Sequence, residues 1–181
     1  MSKISLILVL LFGIFAGTSA QTKLAEAIKD ESSITYRLSH LLHTIEAVSK
    51  DAAYRMEIDP VKKEIKTVSA QVDVTTFDSG NSNRDSHAME VVDAITYPTA
   101  AFTSKSISQK GDSLTVAGQL TFHGITKDVV MLGVANWSQN KLEVQGAFTI
   151  SLTAFQVQRP SLLMVPVNDE LRFTLKASFV L

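Results

Sequence analysis

Arg84, Asp85 and His87 stand within one short stretch, and the other histidines of the chain are His40, His43 and His123. A guanidinium, a carboxylate and an imidazole so close together suit three kinds of chemistry. His87 beside Asp85 could act as a general base, the histidines could ligate a metal or haem, or the cluster could receive the polar head of a ligand. Spacing weakens the first two. His40 and His43 would point to opposite faces of a continuous strand. A zinc site needs three or four ligands converging at about 2 Å, and no spacing here imposes that. Arg84 and Asp85 are neighbours, and neighbours on a helix do not face each other. Asp85 is therefore expected to serve the helix N-terminus and Arg84 to reach the rim of the fold. The chain contains no G-x-S-x-G, no H-E-x-x-H, no glycine-rich phosphate loop and no cysteine. The reading is accordingly no catalytic residue, no metal site and no cofactor, with the histidines hydrogen-bonded to backbone or carboxylate groups. A metal- or haem-binding module using these histidines is the alternative.

The elements that must position these residues follow from periodicity. Ala88, Val91, Val92 and Ile95 recur at i, i+3, i+4 and i+7, one face of a helix. Ser82 with Asp85 resembles a capping box, and Tyr97-Pro98 ends the pattern, so a helix is expected within Asn83 to Ile95. Elsewhere apolar residues alternate. Strands are expected over Ile34 to His40, Ala53 to Ile58, Val68 to Val74, Thr99 to Ser108, Leu114 to Phe122, Thr126 to Trp137, Leu142 to Leu152 and Leu171 to Leu181. Thr22 to Asp30 reads as a short helix or a leader arm. Short turns make the strands antiparallel, and one wet face requires the other to be covered, in a barrel or a sandwich. The inward face would carry Leu114, Val116, Leu120, Phe122, Leu142, Phe148, Ile150, Phe173, Leu175 and Phe179, lining a cavity or filling a core. Gly118, Gly133 and Gly146 fall mid-strand, either to relieve bends or to leave room for a ligand. Leu162 to Val165, an apolar run between Pro160 and Pro166, is expected at the entrance, with Leu163 and Met164 as mouth residues beside His40, Arg84, His87 and His123.

The chain has 181 residues, enough for one domain. Met1 to Ala20 has the form of a secretory signal: Lys3, an apolar run from Ile4 to Phe15, then small residues, with cleavage before Gln21. The mature domain is then 21–181, exported and soluble, periplasmic or secreted, with no further stretch able to span a membrane. A formal net charge of −1 argues against nucleic acid as a partner. Without cysteine the fold must rest on its core alone.

Three blocks together resemble the YceI-like family. They are Ile34-Thr35-Tyr36-Arg37-Leu38-Ser39-His40; Arg84-Asp85-x-His87 with Tyr97-Pro98 and Phe102-Thr103-Ser104; and Gly118-Gln119-Leu120-Thr121-Phe122-His123-Gly124-Ile125-Thr126-Lys127. They occur in the family's order over most of the chain. The segment Glu46-Ala47-Val48-Ser49 departs from the family's glycine and aromatic, and the helix segment is shortened. The resemblance implies an all-β fold, a closed antiparallel eight-stranded lipocalin-like barrel with one short inserted helix beside its mouth. It also implies an isoprenoid or other lipid ligand held chain-inward, in a binding protein and not an enzyme.

Overall fold

The computed structural model describes residues 22–162 and 164–181. The expected signal segment and Leu163 lie outside the described residues. The strands are β1 (Lys23–Glu26), β2 (Ser33–Ser39), β3 (Thr44–Ser49), β4 (Ala53–Asp59) and β5 (Glu64–Asp73); after the helix α1 (Ser82–Val91) come β6 (Thr99–Lys110), β7 (Ser113–Phe122), β8 (Ile125–Trp137) and β9 (Lys141–Ser151). A small hairpin, β10 (Ser161–Leu162) with β11 (Val165–Pro166), precedes the last strand, β12 (Glu170–Val180).

The large sheet has ten strands in the order β1-β4-β5-β6-β7-β8-β9-β12-β2-β3, antiparallel throughout and strongly curled into a half-barrel. This corrects the expected closed eight-stranded barrel: the ladder has more strands and ends at β1 and β3. Two strands account for the difference. The Thr22 to Asp30 stretch, expected as helix or arm, pairs Lys23 to Glu26 with β4. The Glu46 to Ser49 stretch pairs with β2 as β3, with Ala47 and Ser49 fully buried. Just past β1 the chain meets the end of β12 that extends beyond its pairing with β2: Ala27 forms an isolated bridge with Phe179, and the Ile28 N–H donates to the Ser178 carbonyl at 2.8 Å.

The inner face is filled unevenly. At one end Leu114, Val116, Leu142 and Phe179 are almost wholly excluded from water and pack with Ala135, Val144 and Ala177. At the other end Leu120, Phe122, Ile150, Leu152, Phe155, Val157 and Leu171 form a second cluster against which Val91 and Val92 of α1 rest. The alternation predicted from Leu114 onward is thus the observed register.

The strand glycines serve close approach. A Cβ on Gly118 would overlap the Thr103 carbonyl and lie 2.5 Å from the Phe102 ring, beside the register shift between Ser104 and Ser106 in β6. A Cβ on Gly133 would overlap the Gln145 carbonyl, whereas on Gly146 it would meet the flexible thioether of Met131 at 2.5 Å. Backbone cannot yield as a methionine can. Gly133→Ala is expected to cost about 1–3 kcal/mol in urea unfolding and Gly146→Ala distinctly less.

Candidate functional site: an apolar cavity beneath the helix

A cavity of about 210 Å³ lies inside the half-barrel, against α1. Its walls are apolar apart from Tyr36, Tyr54 and Gln71 on the strands and Arg84, Asp85 and His87 on the helix. Of the residues expected to face inward, Leu120, Phe122, Phe148, Ile150, Phe173 and Leu175 line it. Leu114, Val116, Leu142 and Phe179 do not: they belong to the solid end described above. Phe148 and Phe173 are register partners on β9 and β12, and their rings stack at 4.9 Å and 15°. Missed by sequence reasoning were Ala70, Ala100 and Ala101 of the opposite wall and Met89 of the helix. The alternation of β5 did signal Ala70; small residues on a wall are what leave space.

The helix is held over the cavity by Ser79. Asp85 accepts from the Ser79 N–H at 3.2 Å and also from its hydroxyl. Arg84 donates from Nε to the same hydroxyl at 2.8 Å and from Nη2 to the Ser79 carbonyl at 2.7 Å. One residue earlier, Asp78 exchanges two backbone hydrogen bonds with Val48 of β3. Arg84 and Asp85 therefore clasp the entry loop, and the loop is sewn to the sheet. The expected capping box is corrected: Asn81 is the N-cap, its side chain accepting from the Arg84 N–H at 3.1 Å. The predicted helical face holds for Ala88, Val91 and Val92, but Asp93 turns left-handed and leaves Ile95 98% exposed. That φ of 45° stops the helix before Ile95 can reach the face.

The histidines separate. His40 is buried; its Nε2–H donates to the Val165 carbonyl at 3.0 Å while Nδ1 accepts from the Leu42 N–H at 3.3 Å. His43 is exposed, its ring 5.4 Å from that of His40. His123 donates from Nδ1 to the Phe155 carbonyl at 2.9 Å and packs edge-on against Tyr97. His123 and Gly124, with φ of 51° and 72°, form the two-residue β7–β8 turn, where both central residues must be left-handed. His87 is exposed, borders the cavity and lies 3.5 Å from Glu90 in its own helix. Among the described residues no three histidine or acidic side chains come together in a way that could hold a metal. Met164 is fully exposed at the tip of the β10–β11 hairpin and does not line the cavity.

The YceI-like domain model matches residues 26–179, which is nearly the whole sheet. The chain belongs to the YceI-like family. A UPF0312 protein of Pseudomonas putida is 28% identical over 137 residues, 70% of this chain and 71% of the relative. The protein YceI of Escherichia coli is 29% identical over 101 residues, 54% of this chain and 53% of its own length. Among solved structures, Burkholderia cenocepacia BcnA superposes with a TM-score of 0.76 at 22% identity, covering 84% of this chain and 98% of BcnA. A polyisoprenoid binding domain from Saccharophagus degradans superposes at 0.64 with 9% identity, covering 87% and 97%. At such identities these likenesses establish the fold. Within this YceI-like chain, the family's histidine and Arg-Asp blocks are accounted for by backbone turns, loop ties and the helix clasp.

The phenols are perturbed. Burial, and secondarily the Asp85 carboxylate, raises the Tyr36 pKa; burial alone pushes Tyr54 up, and its hydroxyl donates to the Ser33 carbonyl at 3.0 Å. The folded state keeps protons that the unfolded chain releases above the ordinary phenol value of about 10. Their contribution is complete below that pH and is lost as pH rises from there through the folded-state values. Alkaline unfolding followed by circular dichroism is expected to steepen above pH about 10, and less so in Tyr36→Phe. His40→Ala should cost about 1–3 kcal/mol in thermal or urea unfolding, since it removes a buried ring and its hydrogen bonds to the Val165 carbonyl and the Leu42 N–H. The exposed His87→Ala should stay within about 0.5 kcal/mol.

Proposed function

We propose that this chain is an exported binding protein that carries an isoprenoid-type or other amphiphilic lipid, with a leader cleaved before Gln21 and no catalytic step. The observation that carries the reading is the cavity: its strand walls, among them Phe148, Phe173 and Leu175, are mostly apolar, and the two charged side chains that border it, Arg84 and Asp85, lie with His87 on α1. The fold likeness to a domain described as polyisoprenoid binding supports the same class of ligand. The tail points inward along the Phe148–Phe173 stack. The head lies beneath the helix near Tyr36, Arg84 and His87, where Asp85 and Ser79 already restrain the guanidinium. The curled half-barrel then holds the ligand on its inner face as a lipocalin-like container, with the bridge at Ala27 and Phe179 fastening the packed end away from the cavity.

Each methylene taken from water contributes about 0.8 kcal/mol before the costs of association. The cavity of about 210 Å³ is smaller than the roughly 300–1,000 Å³ of sites that engulf a drug-sized molecule. The leading part of the tail therefore fills it and the remainder runs under α1. No observation favours the metal or haem alternative, since His40 and His123 are committed to the carbonyls of Val165 and Phe155.

An organic extract of the purified protein is expected to contain a lipid, and delipidated protein to take up an isoprenoid quinone. Leu175→Trp, which puts a larger ring into the cavity, should lower that uptake at least tenfold while leaving far-UV circular dichroism unchanged. A lipid-free extract together with no uptake by the delipidated protein would end the proposal.

A further inference from the structure

We infer that the end of the half-barrel at which the cavity opens docks on a lipid bilayer through the apolar tips of two neighbouring hairpins. The inference rests on the lipid-carrier reading above and adds the surface from which the ligand is exchanged. Leu41 and Leu42, in the β2–β3 turn, are 82% and 64% exposed; Met164 and Val165, in the β10–β11 hairpin, are 98% and 39% exposed. Single exposed leucines need no explanation, but apolar residues gathered on adjacent tips do.

The tips are neighbours because His40 makes them so. Its Nε2–H reaches the Val165 carbonyl and its Nδ1 holds the Leu42 N–H, so one buried ring ties both turns. The Asn168 N–H donates to the Ser39 carbonyl at 2.8 Å, and Arg159 donates through Nε and Nη2 to the Val167 carbonyl. The apolar side chains are thus displayed on restrained backbone, and little further ordering is needed when they insert.

Their position ties them to the cavity. Leu38 and Ile45, on the strand ends that carry the first tip, line it, as does Pro160 at the base of the second hairpin. Ile95 is exposed at the same end, three residues beyond the cavity-lining Val92 and two before Tyr97, which packs on the β7–β8 turn. A ligand of low solubility in water is drawn from a lipid phase, and these side chains stand next to Leu38, Ile45 and Pro160, which do line the cavity. The tips protrude and are few, whereas a stable protein partner needs roughly 800 Å² of fitted surface from each side. The charges nearby are balanced, Glu46 pairing with Arg37 and Arg159 acting on Asp169, and the net charge is −1. Insertion of apolar groups, not attraction to anionic headgroups, is therefore the mode of binding.

The test is flotation with phosphatidylcholine vesicles, using the full chain and the chain from Gln21, which contains every described strand and the helix. The chain from Gln21 is expected to float, and to keep floating in about 0.5 M NaCl, where surface charge is screened. L41S/L42S/M164S should float at least tenfold less and draw an isoprenoid quinone from vesicles at least fivefold more slowly. Its uptake of a water-dispersed short-chain quinone should be unchanged, which shows that it is folded and competent. The control V130S/L132S removes exposed apolar residues from the outer face of β8 and should float like wild type. In L42W, tryptophan emission should shift to the blue on adding vesicles. Docking is overturned if wild type does not float, if the triple variant floats equally, or if only anionic vesicles bind and salt releases them. Failure of quinone uptake from water by wild type would instead overturn the carrier reading, because flotation does not depend on it.

Discussion

Every feature of this molecule depends on one constraint: a ten-stranded antiparallel sheet with one apolar face must hide that face from water with very little helix to cover it. Curling is the available answer, since a sheet folded toward itself supplies its own second layer. Glycine makes the curl possible where strands crowd, as at Gly118 beside the β6 irregularity and Gly133 against the Gln145 carbonyl. Side-chain size then decides what the curl encloses. Leu114, Val116, Leu142 and Phe179 fill one end, whereas alanines at 70 and 100 leave the wall opposite the Phe148–Phe173 stack thin. A cavity follows from that asymmetry.

The helix cannot be held by packing alone, because no residue within Ser82–Val91 is fully buried. Polar ties supply the rest. Ser79 offers an N–H, a hydroxyl and a carbonyl, and Arg84 and Asp85 use all three. Two side chains that cannot face each other on a helix are thereby coupled through a third residue outside it. Because Asp78 is paired with Val48, the clasp transmits the position of the sheet edge to the helix that borders the cavity. The site and the fold share the same few hydrogen bonds.

Residues that look like chemistry on paper act here as joinery. His123 occupies a left-handed turn position and anchors Phe155; His40 binds one hairpin to another. In each case a ring nitrogen donates to the carbonyl of a distant segment and so fixes a turn to it.

Alternation by itself determined the register from Leu114 to Leu181, because a side-chain period of two leaves one choice of inner face once water is present. The helix, the antiparallel pairing and the family were legible too, the last from three ordered blocks. Sequence did not reveal β1 or β3, whose short runs lie among charges and become strands only by pairing with β4 and β2. Nor did it reveal that Ile95 leaves the helical face, since the left-handed Asp93 gives no periodic signal. Which inward residues fill space and which border it was decided by tertiary structure alone. Leu142 and Leu175 are alike on their strands; one lies in the packed end and the other faces the cavity. The difference is set by what the opposite wall contributes, a relation between residues distant in the chain that no local pattern encodes.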